Sequence, residues 1–539
     1  MNPKTLNLIQ EYINRSSGRK FRLPLDTTSQ PRKCQGCHSE RSEESRPIDL
    51  LEKARSFGLR LRMTPRHSFL AAVLFVGGCS VGPNYQEPKL GVSASWQEAQ
   101  QKGVDIRPVE MTRWWTTFND PLLNSLVERA VQSNYDLRIA EARIREARAS
   151  RAVVAAGAWP TVDVSGSYSR NRTSENSLTF PSQGGTGGAG SGVKLDRNLY
   201  DAAIDASWEI DVFGGVRRSV EAADATLEAS QYSRRDVLVT LLGDVAKNYI
   251  DLRGFQRRLA VARANLKAQQ DTLELTRIRF QAGLTSDLEV AQAEAQVNTT
   301  AAQIPTLESS LKQVAYSLDL LLGLAPGALW NELANETAIP SLPPEVLVGL
   351  PSDLLRRRPD IRFAERQLAA ATAQVGSAMA DLFPKFFLTG VAGLQSISAS
   401  DWFTGRSRYW SVGPTISWPI FDAGRIRANI EIRNAQQEQA LNQYEKAVLA
   451  ALGDVEKSLV SYSREQTRQR SLADAVAANR RAVEMANELY VRGLNDFLNV
   501  LDTQRSLYAA ENDLAQSEAT MAANLVALYK ALGGGWETN

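Results

Sequence analysis

Two stretches of the chain, from about Val216 to Ala282 and from about Arg425 to Arg492, contain no proline and are rich in Ala, Leu, Glu, Arg and Gln. Read as helices at about 1.5 Å per residue, each spans on the order of 100 Å. No single compact core holds a helix of that length, so each needs coiled-coil neighbours along it. The two stretches are matching parts of an internal repeat. Ile139-Ala140-Glu141 recurs as Phe363-Ala364-Glu365, and Trp159-Pro160 recurs as Phe383-Pro384. Leu242-Gly243-Asp244-Val245 recurs as Leu452-Gly453-Asp454-Val455, and Phe280 to Leu284 recurs as Tyr490 to Leu494. The copies cover 121–323 and 351–533, with a proline-bearing linker at 324–350 (Pro326, Pro340, Pro343, Pro344) and a short tail at 534–539.

Each copy opens on a shorter helix, expected from Pro121 to Ala158 and from Pro351 to Leu382, with Pro359 as an alternative start for the second. Proline suits a first helical turn, and Pro160 and Pro384 end these helices. Beyond them the period changes from 3.6 to 2. Val162, Val164, Gly166 and Tyr168 alternate with Asp163, Ser165, Ser167 and Ser169. Tyr200, Ile204, Trp208, Ile210 and Val212 alternate with Asp201, Asp205, Glu209 and Asp211. Trp410, Val412, Ile416, Trp418 and Ile420 alternate with smaller or polar residues, and only Lys385–Ser396 is blurred. These are strands with one apolar and one polar face. A soluble sandwich also alternates in this way. Strand length, acidic polar faces and tryptophans on the apolar faces instead suit a tilted membrane strand around a water-filled lumen. The loop near Phe180–Val193 is glycine-rich, and the one near Ser396–Ser407 carries Trp402 and Phe403.

After each hairpin comes a long helix that ends at Gly283-Leu284 or Gly493-Leu494, and an antiparallel helix follows. Glycine suits the left-handed residue that closes a helix. Pro305 is expected to interrupt the first return helix. Four membrane strands per chain are too few to close, and open edges are not tolerated in lipid. The chain therefore has to oligomerise. Two copies give an eight-stranded barrel, which side chains fill, whereas larger barrels enclose a channel; a conducting pore favours three copies or more.

The chain's beginning has its own logic. Leu70 to Gly78 is a short apolar run after Arg60, Arg62, Arg66 and His67, and it ends at Val76-Gly77-Gly78-Cys79. That is the form of a secretory signal, too short to span a bilayer. Small residues before a cysteine resemble the lipobox of bacterial lipoproteins, in which the cysteine, here Cys79, is acylated and becomes the mature N-terminus. Residues 63–78 are then the signal peptide, 79–120 an N-terminal segment, and 1–62 an extension upstream of a true start at Met63. Cys34 and Cys37 have metal-ligand or redox spacing, but stand alone without a second pair or a βαβ context and are read as incidental.

Both histidines, His38 and His67, and two of the three cysteines precede Cys79. A mature chain without histidine has no His-based triad or His metal site. No glycine-rich phosphate loop precedes a helix, so no catalytic residues, metal or cofactor are expected, and the chain does not read as an enzyme. With 62 Lys+Arg against 60 Asp+Glu, charge gives no reason to expect a nucleic-acid partner.

Three motifs carry a family resemblance. Cys79-Ser-Val-Gly-Pro-Asn-Tyr85-Gln-Glu-Pro88, Trp114-Trp115-Thr-Thr-Phe-Asn-Asp-Pro121-Leu122 and Leu354-Leu355-Arg-Arg-Arg-Pro359-Asp360-Ile-Arg-Phe-Ala-Glu365 resemble signatures of OprM-like, NodT-type lipoproteins of the TolC-like outer-membrane factor family. The resemblance runs from about Cys79 to Gly535. It implies an α+β membrane protein in which each chain gives four strands to a trimeric twelve-stranded β-barrel, continued by a long α-helical coiled-coil tunnel. It implies a homotrimer in the bacterial outer membrane, lipid-anchored and extending into the periplasm, where it meets an adaptor and an inner-membrane pump of the proton-driven RND type. The passengers are drugs, dyes or other small molecules. Ser80 after the acylated cysteine resembles an outer-membrane sorting signal.

The family's periplasmic tips, which contact the adaptor, map onto Gly283, Leu284, Thr285 and Ser286 and onto Gly493, Leu494, Asn495 and Asp496. Its closed aperture maps onto Leu288 and Glu289 in the first copy and onto Tyr490, Asn499 and Asp502 in the second. This chain departs from the pattern at Asn499, where an acid is common, and at Asn495, where a base occurs. Asp502 is the leading candidate for a ring of carboxylates near the axis, the alternative being a solvated acid on a helix face; its counterpart in the first copy is Gln292. Two other functions fit part of the pattern. A trimeric structural envelope protein needs an extended passenger that these loops are too short to be, and a type I protein-secretion duct shares the fold.

Overall fold

The structure, a computed structural model, describes residues 80–89, 91, 95–97, 104–105, 111–174, 196–343 and 346–537. These belong to one compact unit, Ala72–Asn539. Residues 1–62, the signal region 63–78, Cys79 and the Phe180–Val193 loop lie outside the described residues.

The first copy comprises α1 (Pro121–Ser133), α2 (Tyr135–Ala156), β1 (Thr161–Arg172), β2 (Asp196–Ile210), α3 (Gly215–Gln281) and α4 (Asp287–Leu321). The second comprises α5 (Pro351–Arg357), α6 (Pro359–Ala380), β3 (Lys385–Ser396), β4 (Arg408–Ser417), α7 (Arg425–Val491) and α8 (Phe497–Ala531). Both long helices, α3 and α7, have 67 residues, and both return helices have 35. Trp208 Nε1 donates to the Ala158 carbonyl at 3.0 Å, and Trp418 Nε1 donates to the Leu382 carbonyl at 3.1 Å. The same tie closes both hairpins onto their incoming helices, so the two registers read from sequence hold in space.

The four strands form one antiparallel sheet in chain order, β1-β2-β3-β4. Thr161 faces Ser207, Ile210 faces Phe386 and Lys385 faces Ser417. β1 and β4 are its edges and have no partner among the described residues. The apolar residues of the alternation are uncovered in the single chain, with Val164 83% exposed and Trp410 76% exposed. Among the described residues no helix is long and apolar enough to cross a membrane.

Three expectations need correction. The opening helix of the first copy is broken at Asn134, whose ψ of 133° leaves the helical region. Asn134 caps α2 through the Leu137 N–H, and Ser133 Oγ and Asn134 Nδ2 donate to the carbonyls of Leu322 and Leu321 at 2.6 and 2.9 Å. These bonds to the end of α4 replace the lost helical ones. The second copy breaks at the same place, Arg358, because Pro359 follows it. Pro305 does not interrupt α4, which runs through it from Asp287 to Leu321. Packing of α4 along α3 outweighs the one hydrogen bond a proline removes. Finally, β2 stops at Ile210 and β4 at Ser417, so Val212, Trp418 and Ile420 follow the strands rather than belong to them.

The main core lies midway along the long helices, where Trp114, Phe118, Leu126, Leu242, Tyr249, Leu252, Leu525 and Tyr529 meet. The linker closes over it. Buried Arg253 donates from Nη1 to Gln256 Oε1 at 2.7 Å and to the Asn335 carbonyl at 2.8 Å, and its guanidinium lies 4.9 Å from the Tyr249 ring. Tyr249 donates in turn to Asp120 Oδ2 at 2.6 Å, the carboxylate that also caps α1. Burial first, then the bond to Asp120, pushes the Tyr249 phenol up to about 12. A phenol raised in the fold contributes stability below its ordinary value near 10 that is lost as pH rises through 12. The alkaline fall in thermal stability between about pH 10 and 12 is therefore expected to be shallower in Tyr249→Phe than in the wild type, measured by circular dichroism. Parallel curves for the two proteins would sink that assignment.

The segment after Cys79 is strapped across the top of the long helices. Val81 N–H donates to the Phe213 carbonyl at 3.1 Å. Arg218, buried at the start of α3, donates to the Val81 and Gly82 carbonyls and to Asn84 Oδ1 at 3.1, 3.3 and 2.7 Å. Gly82 has φ +89° and would place a Cβ 2.4 Å from the Gly376 Cα. Gly82→Val is expected to unseat the strap at a cost on the order of 2–4 kcal/mol. Limited proteolysis near residues 81–88 reads this as faster cleavage, and an unchanged rate counts against it.

Candidate functional site

The two helix-to-helix turns stand side by side at the far end of the long helices. Gly283 and Gly493 both have φ +72°, and a Cβ at either meets nothing within 4 Å. The turns are matched bond for bond: Leu284 N–H returns to the Arg279 carbonyl and Leu494 N–H to that of Leu489, each at 2.9 Å. This is the double-bonded helix close that a left-handed glycine allows. Leu284, Leu494, Leu288 and Leu498 project from the tips, each more than half exposed. Thr285 and Asn495 are half-buried; Ser286 and Asp496 are exposed and stand just before the return helices, at positions where their side chains make no capping bond.

Beneath the turns the four helices are pinned together. Tyr490, grouped with the aperture from sequence, sits inside the subunit, 3% exposed, with Leu273, Ala293, Ala486, Phe497, Val500 and Leu501. Its hydroxyl donates to Glu289 Oε2 at 3.0 Å. Arg279 lies 4.6 Å from the Tyr490 ring and donates to its carbonyl at 3.1 Å. Burial raises the Tyr490 phenol above its ordinary value, and the neighbouring Glu289 adds to this. The cluster joins α3, α4, α7 and α8, so the two copies cannot move independently at the tip without breaking it.

The other site residues named from sequence are distributed around this cluster. Glu289 is half-buried against Tyr490. Asn499 is exposed and bonded to Asn495 Oδ1 at 2.5 Å. Leu288 and Asp502 are exposed, and the described chain does not bring Asp502 to Glu289 through any bond. Arg279 was not identified from sequence. The signal was available: its counterpart in the second copy is Leu489, so it marks a difference between two otherwise matched turns.

The arginine-rich motif at 354–365 does its work elsewhere. Arg358 donates to Asp360 Oδ2 at 2.6 Å and to the Ala531 carbonyl at 2.9 Å, and reaches Asp454 at 3.4 Å. Glu365 is 2% exposed and accepts from Tyr85, Arg362 and Arg366. Trp536 Nε1 donates to the Arg357 carbonyl at 2.8 Å. The motif thus fastens the N-terminal strap, both long helices and the C-terminal tail at one level. Among the described residues no group of His, Cys, Asp and Glu could hold a metal ion.

This arrangement is that of known channels. The chain is similar to the solved outer-membrane channel OprN, with TM-score 0.79 and 37% identity, over 85% of this chain and 100% of that one. It is 34% identical to nodulation protein T of Rhizobium leguminosarum bv. trifolii, over 86% of this chain and 96% of the relative. It is also 34% identical to the pyoverdine export outer membrane protein OpmQ of Pseudomonas aeruginosa, over 88% and 97%. The outer membrane efflux protein family matches residues 126–324 and 350–534, one span for each copy of the repeat. A paired repeat of that extent, with an open four-stranded sheet at one end and two glycine-closed tips at the other, makes this chain a member of the outer membrane efflux protein family, an efflux channel of the outer membrane.

Proposed function

We propose that three copies of the chain close into a twelve-stranded barrel, continue as a helical tunnel across the periplasm, and pass small molecules outward from an adaptor and an RND-type inner-membrane pump. One observation carries this reading: the sheet of each chain has an exposed apolar face and two edges without partners. Lipid accepts the face and rejects the edges, so the edges must meet those of other copies. Three copies are the smallest assembly with room for a channel. A relative named for pyoverdine export favours a small organic passenger over a secreted protein.

In this reading Cys79 carries the lipid. The strap running from Ser80 to Pro88 then holds the anchor beside the start of α3, where β2 leaves the sheet. The tips at Gly283–Ser286 and Gly493–Asp496 contact the adaptor. Leu288, Glu289, Asn499 and Asp502 form the aperture, and Tyr490 acts through Glu289 as a latch. The test is reconstitution of the full chain. We expect a detergent-solubilised mass of three chains and discrete single-channel steps in planar bilayers. A monomer that conducts nothing would overturn the proposal.

A further inference from the structure

The pairing of the four strands sorts their residues onto two faces. It runs without a bulge along β1–β2, β2–β3 and β3–β4, so every even-numbered strand residue shares one face. That face carries Val164, Ile204, Leu388 and Val412, and lipid covers it in the barrel proposed above. Its two ends differ. At the helix end it finishes in Trp208, Ile210, Phe386 and Ile416, with no basic residue of the strands among them. At the far end it carries Arg170, Arg172 and Arg408.

An aromatic ladder stands just inside that far end. The rings of Tyr168 and Tyr200 lie 4.9 Å apart, those of Tyr200 and Trp402 5.6 Å, and those of Trp402 and Phe403 4.8 Å. Trp402 Nε1 donates to the Leu394 carbonyl at 3.1 Å, which holds the β3–β4 connection at this end of the sheet. Such rings sit at the level of lipid headgroups. Arg170 and Arg172 come next along β1, with side chains 66% and 69% exposed. Among the described residues they approach one carboxylate, Asp196, each at 3.9 Å, too far for a hydrogen bond. Two guanidinium groups beside one carboxylate leave a net positive charge and unspent N–H donors.

We infer that this corner of the sheet binds a phosphorylated glycolipid of the outer leaflet, with its acyl chains along the apolar face and its phosphate on Arg170 and Arg172. A guanidinium fork matches two phosphate oxygens at once. The arginines share the face that lipid covers and stand at headgroup depth. They are also confined to the end away from the periplasmic helices, where the leaflet of a bacterial outer membrane is built of phosphorylated glycolipid. Closing the barrel adds a third group, because β4 of the next copy then lies beside β1. The repeat carries the pairing of Tyr200 with Ser396 onto that seam as Trp410 with Arg172, and Arg408 falls on the diagonal from Arg172, about 7–8 Å away.

This inference rests on the barrel proposed above, and the test separates the two. The full chain in detergent is titrated with bisphosphorylated lipid A, and native mass spectrometry counts both bound lipid and chains. Saturable binding of one lipid A per chain is expected. Arg170→Gln with Arg172→Gln should weaken it about tenfold or more, with an unchanged thermal midpoint in lipid-free detergent, since both side chains are exposed. Arg170→Lys with Arg172→Lys keeps the charge but not the fork and should fall between. Arg408→Gln should weaken binding less, and no change there removes the seam from the site. Arg197→Gln, at the same end but on the opposite face, should bind as the wild type does. Equal binding by the double Gln variant and the wild type overturns the site, and an equal loss in Arg197→Gln overturns its assignment to this face. Full retention of lipid A stripped of its phosphates overturns the phosphate contact. Displacement by millimolar inorganic phosphate makes this a site for the free ion and overturns the lipid. A monomeric mass overturns the barrel, whereas binding by that monomer that still depends on Arg170 and Arg172 leaves the site standing.

Discussion

Glu365→Ala is expected to cost about 3–5 kcal/mol of stability, the usual penalty for removing one partner from a buried charge cluster. The carboxylate is 2% exposed and takes hydrogen bonds from Arg362, Arg366 and Tyr85. Without it, two guanidinium groups, each about three-quarters shielded from solvent, face each other with no shared carboxylate between them. Arg366 keeps Glu228 at 3.1 Å and its place over the Tyr85 ring, at 5.5 Å, but Arg362 loses its carboxylate. Tyr85 loses its acceptor, so the N-terminal strap should loosen together with α6. Glu365→Gln keeps an acceptor oxygen and should recover part of the loss. Thermal unfolding of the solubilised protein, with proteolysis of the strap as a local readout, checks both. An unchanged midpoint in Glu365→Ala would mean that the cluster is not what seats the strap.

The long elements were legible because their punctuation is local. Proline at 160 and 384 and glycine at 283 and 493 mark these helix ends within the sequence itself, and α3 and α7 begin and end within a residue of expectation. Three of the four strands were legible because a period of two needs only the strand itself, while the alternation is blurred in β3, Lys385–Ser396. The break at Asn134 was not, since no proline marks it and its cause is a pair of carbonyls at the end of α4. Pro305 misled for the converse reason: local chemistry argued for a break, and packing along α3 overrode it.

The site divides along the same line. The tip glycines could be placed from sequence alone. The burial of Tyr490 depends on Arg279, Glu289 and Phe497, which come from three other helices. The strap was invisible for the same reason. Arg218 reads as one more charge in Val-Arg-Arg-Ser, and only the fold brings the carbonyls of Val81 and Gly82 to it. Family resemblance identified the arginine-rich motif without saying what it does; its contacts make it a fastening between the ends of the chain rather than part of a gate.

Asp502→Ala is expected to raise single-channel conductance in planar bilayers about twofold or more and to weaken the preference for cations, the effect of removing a carboxylate ring from a narrow passage. Asp502 is exposed near the start of α8, three turns or fewer from the tip, and in the first copy Gln292 stands in its place. A three-fold assembly therefore presents three such carboxylates, not six. In the aperture proposed above, gathered on one axis, they would hold cations and raise a barrier to anions. Salt separates this from a merely mechanical change: the difference between variant and wild type should shrink as ionic strength rises and the Debye length falls from about 10 Å at 0.1 M to about 3 Å at 1 M. Tyr490→Phe is the companion variant. It removes the hydroxyl bond to Glu289 but keeps the ring under Arg279 and against Phe497. It should raise the frequency of opening at every salt concentration and leave ion selectivity alone. Equal conductance and selectivity in Asp502→Ala and the wild type at low salt would return Asp502 to the status of a solvated acid on a helix face, with the aperture left to Leu288, Glu289 and Asn499.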